Sequence, residues 1–186
     1  MKRVIGLVGG IGAGKGVITD YLVEEYHASS YRFSDVLKSI LEALVLEDTR
    51  ENLQALGVAL RNAFGDNVLV GAIRKSIEED NCRIVVVDGV RYPAEAEMVK
   101  SFFGGILVYV DAPPEVRHKR CLLRGTRGEH GISFEEFMEN DCKKTEKNIR
   151  ELGANADFVL QNDGTIEELH EKVDGIVGGG GQHGKP

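Results

Sequence analysis

The chain has 186 residues, a formal net charge of −7, 42 % hydrophobic and 28 % charged residues. That length suits one compact domain with a sizeable core and disfavours two. The composition is that of a water-soluble globular protein, and the acidic balance argues against a polyanion-binding surface, hence against nucleic acid as a partner. No apolar run approaches the ~18 residues of a membrane span, and the start, MKRVIGLVGG, is too short for a signal peptide and reads as a first strand. Cys82, Cys121 and Cys142 are widely spaced with no CxxC pair, which fits a reduced, cytoplasmic setting.

In chain order, Val4 to Val8 is an apolar, β-branched strand, followed by a glycine loop and a helix from about Gly14 to Tyr26. A brief strand near Ser29 to Phe33 leads into SDVLKSILEAL, where Ser34 or Asp35 is placed to cap a helix. DTRENLQALGVALRNAF predicts a helix with Leu53, Leu56, Leu60 and Phe64 on one face, and Asp66 is placed to cap a further helix through Ile77. RIVVVDG, ending in Asp88, is a continuous apolar run of the kind buried on both faces of a parallel sheet. Pro93 to Phe103 is helical, Gly105 to Val110 is a strand and Pro114 to Leu123 is helical. SFEE, Ser133 to Glu136, is a capping box opening another helix. Asp157 to Leu160 is the last strand, and TIEE, Thr165 to Glu168, opens a C-terminal helix. Strands alternating with helices predict an α/β fold with a parallel five-stranded sheet. The tail GGGGQHGKP has nothing to bury, so the domain is placed at 1–177 and a flexible Gly-rich tail at 178–186, His183 in it being a solvated residue.

The stretch GGIGAGKGVI, Gly9 to Ile18, sits between strand and helix as a phosphate-binding loop requires. Gly9, Gly12 and Gly14 remove Cβ atoms where backbone must turn and approach phosphate, and the N–H groups of the loop and helix start face the anion. Gly9, Gly10, Gly12, Ala13, Gly14, Lys15, Gly16 and Val17 are therefore the candidate nucleotide cradle, with Lys15 as a point charge on the outer phosphates. The usual Ser or Thr after the lysine is replaced by Gly16, so magnesium must be held mostly by phosphates, waters and a carboxylate. Thr19, further along the helix, is expected to be structural.

The form GxxGxGKG resembles the loop of adenylate kinases and related nucleotide kinases, with Val17 where a Thr usually stands. RFSDVLK, Arg32 to Lys38, resembles the acceptor-site start of adenylate kinases, with Ser34-Asp35 and Lys38 in place of a Gly-Asp pair and an Arg. DGVRYP resembles their DGFPR stretch. That resemblance implies Asp88 as organiser of magnesium waters and Arg91 as clamp on the acceptor phosphate. Arg120-x-x-x-Arg124 resembles the RxxxR of adenylate and dephospho-CoA kinases. It implies Arg120 near the nucleotide base, Arg124 at the transferring phosphoryl and Arg127 as a lid residue. The basic run Arg117, Lys119, Arg120, Arg124 and Arg127 is expected to repel itself open in an empty site, with Arg117 on the solvated side. GLVGGIGAGKG and ADFVLQNDGTIEELHEKV are similar to dephospho-CoA kinases. ENLQALGVALRNAFGDN with DGVRYPAEAE looks like phage-type deoxynucleoside monophosphate kinases and also resembles poorly characterised archaeal adenylate-kinase-related proteins. The longer middle of dephospho-CoA kinases and the adenylate-kinase lid pattern with two adjacent Asp residues are missing.

Taken together, these resemblances imply a three-layer P-loop kinase fold with a helical acceptor-binding insertion at about 34–80 and a short lid at about 117–132. The implied activity is a phosphotransferase that moves the γ-phosphoryl group of ATP, with Mg2+, to a nucleoside or deoxynucleoside monophosphate. Lys15, Asp88, Arg91 and Arg124 are then the catalytic candidates and Asp35, Lys38, Arg91 and Arg127 the acceptor-binding ones. Two alternatives stand beside it: phosphorylation of the dephospho-CoA ribose hydroxyl, with Asp35 as base, and a regulatory nucleotide-binding switch. The chain is expected to be a cytoplasmic monomer or small homo-oligomer.

Overall fold

The structure, a computed structural model, describes residues 2–124, 131–141 and 144–179. Five parallel strands form one sheet in the order β2-β3-β1-β4-β5: β1 (Arg3–Val8), β2 (Ser29–Arg32), β3 (Ile84–Asp88), β4 (Ile106–Asp111) and β5 (Phe158–Gln161). The registers Leu7↔Asp88, Arg32↔Asp88 and Val8↔Tyr109 align the carboxyl ends of four strands at one edge. Val85, Val86 and Val87 have no exposed surface, the two-sided burial that the apolar run predicts for a central parallel strand.

Helices cover both faces. One face carries α2 (Phe33–Ala43), α3 (Arg50–Phe64), α4 (Val68–Glu79), α5 (Pro93–Ser101) and α8 (Lys144–Ala154). Leu37, Ile73, Ile77, Val99 and Ile149 there pack on Val4, Val8, Val85, Val87 and Leu107, with Leu53, Leu56 and Leu60 of α3 partly buried beside them. The other face carries α1 (Lys15–Tyr26) and α9 (Ile166–Val177), whose Ile18, Leu22, Leu169, Val173 and Ile176 pack on Ile5, Leu7, Val86, Val108 and Leu160. The alternation along β1 sends Val4 and Val8 to one side and Ile5 and Leu7 to the other, each fully buried aliphatic side chain contributing about 1.5–3 kcal/mol. The remaining helices, α6 (Pro114–Arg124) and α7 (Phe134–Asp141), contact one another and lie toward the loop after β1.

Several local expectations change. Helix α2 begins at Phe33 straight out of β2, so neither Ser34 nor Asp35 caps it; both lie in the first turn. Asn67, not Asp66, precedes α4, and no side chain caps that end. Phe64 is 72 % exposed, because it is the last residue of α3 and lies past the stripe set by Leu53, Leu56 and Leu60. Helix α5 stops at Ser101, two residues early, and the segment before β5 forms a helix of its own, α8. Both capping boxes form: Ser133 with Glu136 and Thr165 with Glu168 exchange side-chain and backbone bonds in each case. Among the described residues no helix is long and apolar enough to cross a membrane. Arg127, Cys142, His183 and residues 180–186 of the tail lie outside the described residues.

Candidate phosphate and acceptor site

The loop between β1 and α1 is a glycine cradle backed on two sides by protein. Gly12 (φ 76°) and Gly14 (φ 105°) occupy the left-handed region, where a side chain is strained. A Cβ on Gly12 would lie 2.5 Å from the Arg117 carbonyl oxygen, and one on Gly14 would collide with Asn162 Nδ2. Only glycine therefore lets the loop sit against α6 and the end of β5 at once. Lys15 opens α1, and its ammonium donates to the carbonyls of Gly9 (2.5 Å) and Gly10 (2.9 Å), bridging the mouth of the loop. Gly16 has nothing within 4 Å of a would-be Cβ. Thr19 is buried and its hydroxyl donates to the Lys15 carbonyl, so it is structural as expected.

Asn162, immediately after β5, holds the cradle from below. It is buried, and its Nδ2 donates to the Ala13 carbonyl at 2.8 Å. Its backbone N–H binds Asp111 O, and its two oxygens accept from Arg120 (3.0 and 3.3 Å). One residue, through its side-chain amide and its backbone, thus joins the phosphate loop, β4, β5 and the Arg120 guanidinium. Arg124 stands one turn further along α6, exposed at its end.

Arg117 is not on the solvated side. It is 7 % exposed and forks onto Asp141 of α7 through Nη1 and Nη2, both at 2.8 Å. It also donates to Ala112 O and to Ile11 O in the loop, and lies over the Phe137 ring. The expectation fails because a carboxylate 24 residues along the chain folds back onto α6. The Arg117 hydrogen bonds, acting against burial, hold the Asp141 carboxyl below the ordinary carboxylate range. Arg150 of α8 also reaches Asp141, at 3.3 Å. The basic run therefore divides: Arg117 braces the loop, Arg120 is tied to Asn162, and Lys119 and Arg124 face outward.

On the other flank, Asp88 ends β3 beside the last residues of β1, as its position in the apolar run predicts. Its Oδ2 accepts from Arg32 Nε at 2.7 Å. Asp35 and Lys38 pair with each other at 3.7 Å on α2 and are 54 % and 39 % exposed in their side chains. Arg91 is half-buried, and its N–H donates to Glu95 Oε2. Glu95 is itself buried and also accepts from the Tyr92 N–H and from Arg61 of α3, whose guanidinium lies 4.3 Å over the Tyr92 ring. Burial pushes the Glu95 carboxyl up, against these donors. The loop bearing Arg91 is thereby fastened to α3.

Asn162, Arg32, Glu95 with Arg61, and Asp141 are the residues that sequence reasoning passed over. Asn162 and Arg32 carried a usable signal, since each is a polar residue at the carboxyl end of a strand, like Asp88. Glu95 stands in the first turn of a helix opened by Pro93. Asp141 gave none, because only the tertiary fold brings it to Arg117.

The residues at this edge suit a polyphosphate carried with a magnesium ion. The cradle admits no side chain at Gly12 or Gly14, Gly16 adds no hydroxyl, and the carboxylate beside it is Asp88. Among the described residues there is no cluster of three or more His, Cys, Asp or Glu able to hold a metal alone.

The five-stranded parallel sheet in this order, with a glycine-lysine loop after its central strand, is the fold of the P-loop nucleotide kinase superfamily, and solved structures share it. The chain is similar to shikimate kinase from Acinetobacter baumannii in complex with shikimate (TM-score 0.59, 18 % identity, 96 % of this chain and 94 % of that one). It is also similar to shikimate kinase from Bacteroides thetaiotaomicron (TM-score 0.63, 15 % identity, 95 % and 98 % covered). At that identity the likeness is one of fold. The chain belongs to the UPF0200 family and, over residues 8–138, to the family described as AAA domain. Its relatives include the UPF0200 protein of Thermococcus onnurineus, 32 % identical over 94 % of this chain and 96 % of that one. Another is the UPF0200 protein of Sulfurisphaera tokodaii, 30 % identical over 94 % and 96 %.

Proposed function

We propose that this protein transfers the γ-phosphoryl group of ATP to a small nucleotide, a nucleoside or deoxynucleoside monophosphate. The observation that carries the reading is the cradle Gly9–Gly14 with Lys15, locked through Asn162 to Arg120 and set one strand from Asp88. On this reading loop N–H groups and Lys15 hold the outer phosphates of ATP, Arg120 is the residue for the base, and Arg124 at the end of α6 is the residue for the moving phosphoryl. Phosphoryl transfer asks for positioning and positive charge more than covalent chemistry, and these groups supply both. Magnesium, when bound, would supply positive charge against the charge developing on the phosphates, and Asp88 would be the residue to hold its waters.

The helical region 34–80 and the 89–92 loop form the acceptor side, with Lys38, Asp35 and Arg91 as contacts, while Arg127, the expected lid residue, lies outside the described residues. A phosphate acceptor is favoured over a hydroxyl acceptor such as dephospho-CoA, because Asp35, the candidate base, is exposed and paired with Lys38. A phosphate is already ionised at neutral pH and needs no base. Incubation with Mg·ATP and a panel of ribo- and deoxyribonucleoside monophosphates and dephospho-CoA, read by mass, tests the reading. A nucleoside diphosphate product supports it. ATP hydrolysis without any phosphorylated acceptor supports a nucleotide switch instead.

A further inference from the structure

We infer that Arg32 binds the anionic group of the acceptor beside the phosphate loop; this rests on the phosphotransferase reading above. Arg32 is the last residue of β2 and stands in register with Asp88 of β3, which in turn stands in register with Leu7 of β1. The Arg32 backbone is thus two strand spacings, about 10 Å, from β1. Its side chain spans the first of these two spacings, because Nε is fastened to Asp88 Oδ2 on β3 at 2.7 Å. The guanidinium therefore lies over β3, about one strand spacing from the strand that delivers the cradle.

The bond to Asp88 uses Nε alone, while Asp88 is 11 % and Arg32 34 % exposed in their side chains. The grip on Nε sets the orientation of the plane, and the terminal nitrogens retain donors for a phosphate or carboxylate oxygen. Asp88 offsets the guanidinium charge until an anion arrives. Helix α2, which starts at the residue after Arg32, carries Asp35 and Lys38, paired with each other, and Arg91 follows β3 three residues after Asp88. Arg32 thus stands between the phosphate loop and the helices assigned to the acceptor, where an acceptor anion must come to meet the γ-phosphoryl.

The test is calorimetric titration of inorganic phosphate into the full chain saturated with Mg2+ and a non-hydrolysable ATP analogue, which occupies the phosphate loop first. Wild type, Arg32→Lys and Arg32→Ala are compared, and each is also run through the nucleotide acceptor panel. Arg32→Ala is expected to weaken phosphate binding about tenfold or more. Arg32→Lys, which keeps the charge and loses the fork, falls between, and affinity for the ATP analogue stays unchanged. Because Arg32→Lys retains a cation for Asp88, it carries the test if Arg32→Ala fails to fold. Unchanged phosphate affinity in Arg32→Lys and Arg32→Ala, or a loss confined to the ATP analogue, overturns the inference while leaving the phosphotransferase reading to the panel. Arg32-dependent phosphate binding with no nucleotide phosphorylated upholds the anion site and overturns that reading.

Discussion

Arg117 and Asp141 meet as a buried two-point fork, with both N–O distances at 2.8 Å, and the same arginine donates to Ile11 O in the phosphate loop. The pair makes the return of α7 onto α6 a condition for the shape of the loop. Removing one partner leaves the other charged and buried, so Asp141→Asn or Arg117→Ala is expected to cost about 3 kcal/mol of unfolding free energy at neutral pH. The sign with pH follows from the lowered Asp141 carboxyl. Its contribution is complete above the ordinary carboxylate range and is lost as pH falls through its folded value. Urea titrations of wild type and Asp141→Asn are expected to show a gap at pH 7 that narrows in acid. A gap that does not change with pH contradicts the assignment.

Asn162 ties the cradle to Arg120, so Asn162→Ala removes the bond to Ala13 O and one to Arg120. The expected result is a fall in ATP-analogue affinity of about tenfold, with folding kept. Gly14→Ala brings a methyl into Asn162 Nδ2 at a φ that side chains avoid. It is expected to abolish nucleotide binding in the same calorimetric measurement.

Much of this arrangement was legible in the sequence, and the reasons differ by element. The strand–loop–helix unit was legible because glycines at 9, 12 and 14 and Lys15 report backbone geometry and charge within a few residues. The position of Asp88 was legible because an apolar run marks a central strand and its end marks the sheet's carboxyl edge. The role of Arg117 was not, since a helical arginine looks alike whether it faces water or a carboxylate 24 residues away. Helix caps misled for a related reason: α2 starts directly from β2 at Phe33, leaving no loop residue for Ser34 or Asp35 to serve as cap.

Gly16 is open to a side chain, with nothing within 4 Å of its would-be Cβ. Gly16→Thr is expected to fold like the wild type and, on the proposed scheme in which phosphates, waters and Asp88 hold magnesium, to change turnover by less than about threefold. Asp88→Asn is expected to lower turnover strongly. A large gain from Gly16→Thr with no loss in Asp88→Asn contradicts this account of the metal.

The central claim is that Lys15 and its loop serve phosphoryl transfer. The most direct measurement compares wild type and Lys15→Ala, each shown folded by circular dichroism, in Mg·ATP-dependent formation of phosphorylated acceptor followed by mass. The account predicts product with the wild type and a loss of about a thousandfold or more in Lys15→Ala, several kcal/mol of transition-state stabilisation. Equal rates from the folded Lys15→Ala protein, or ATP consumed by the wild type with no acceptor gaining a phosphoryl group, would contradict it.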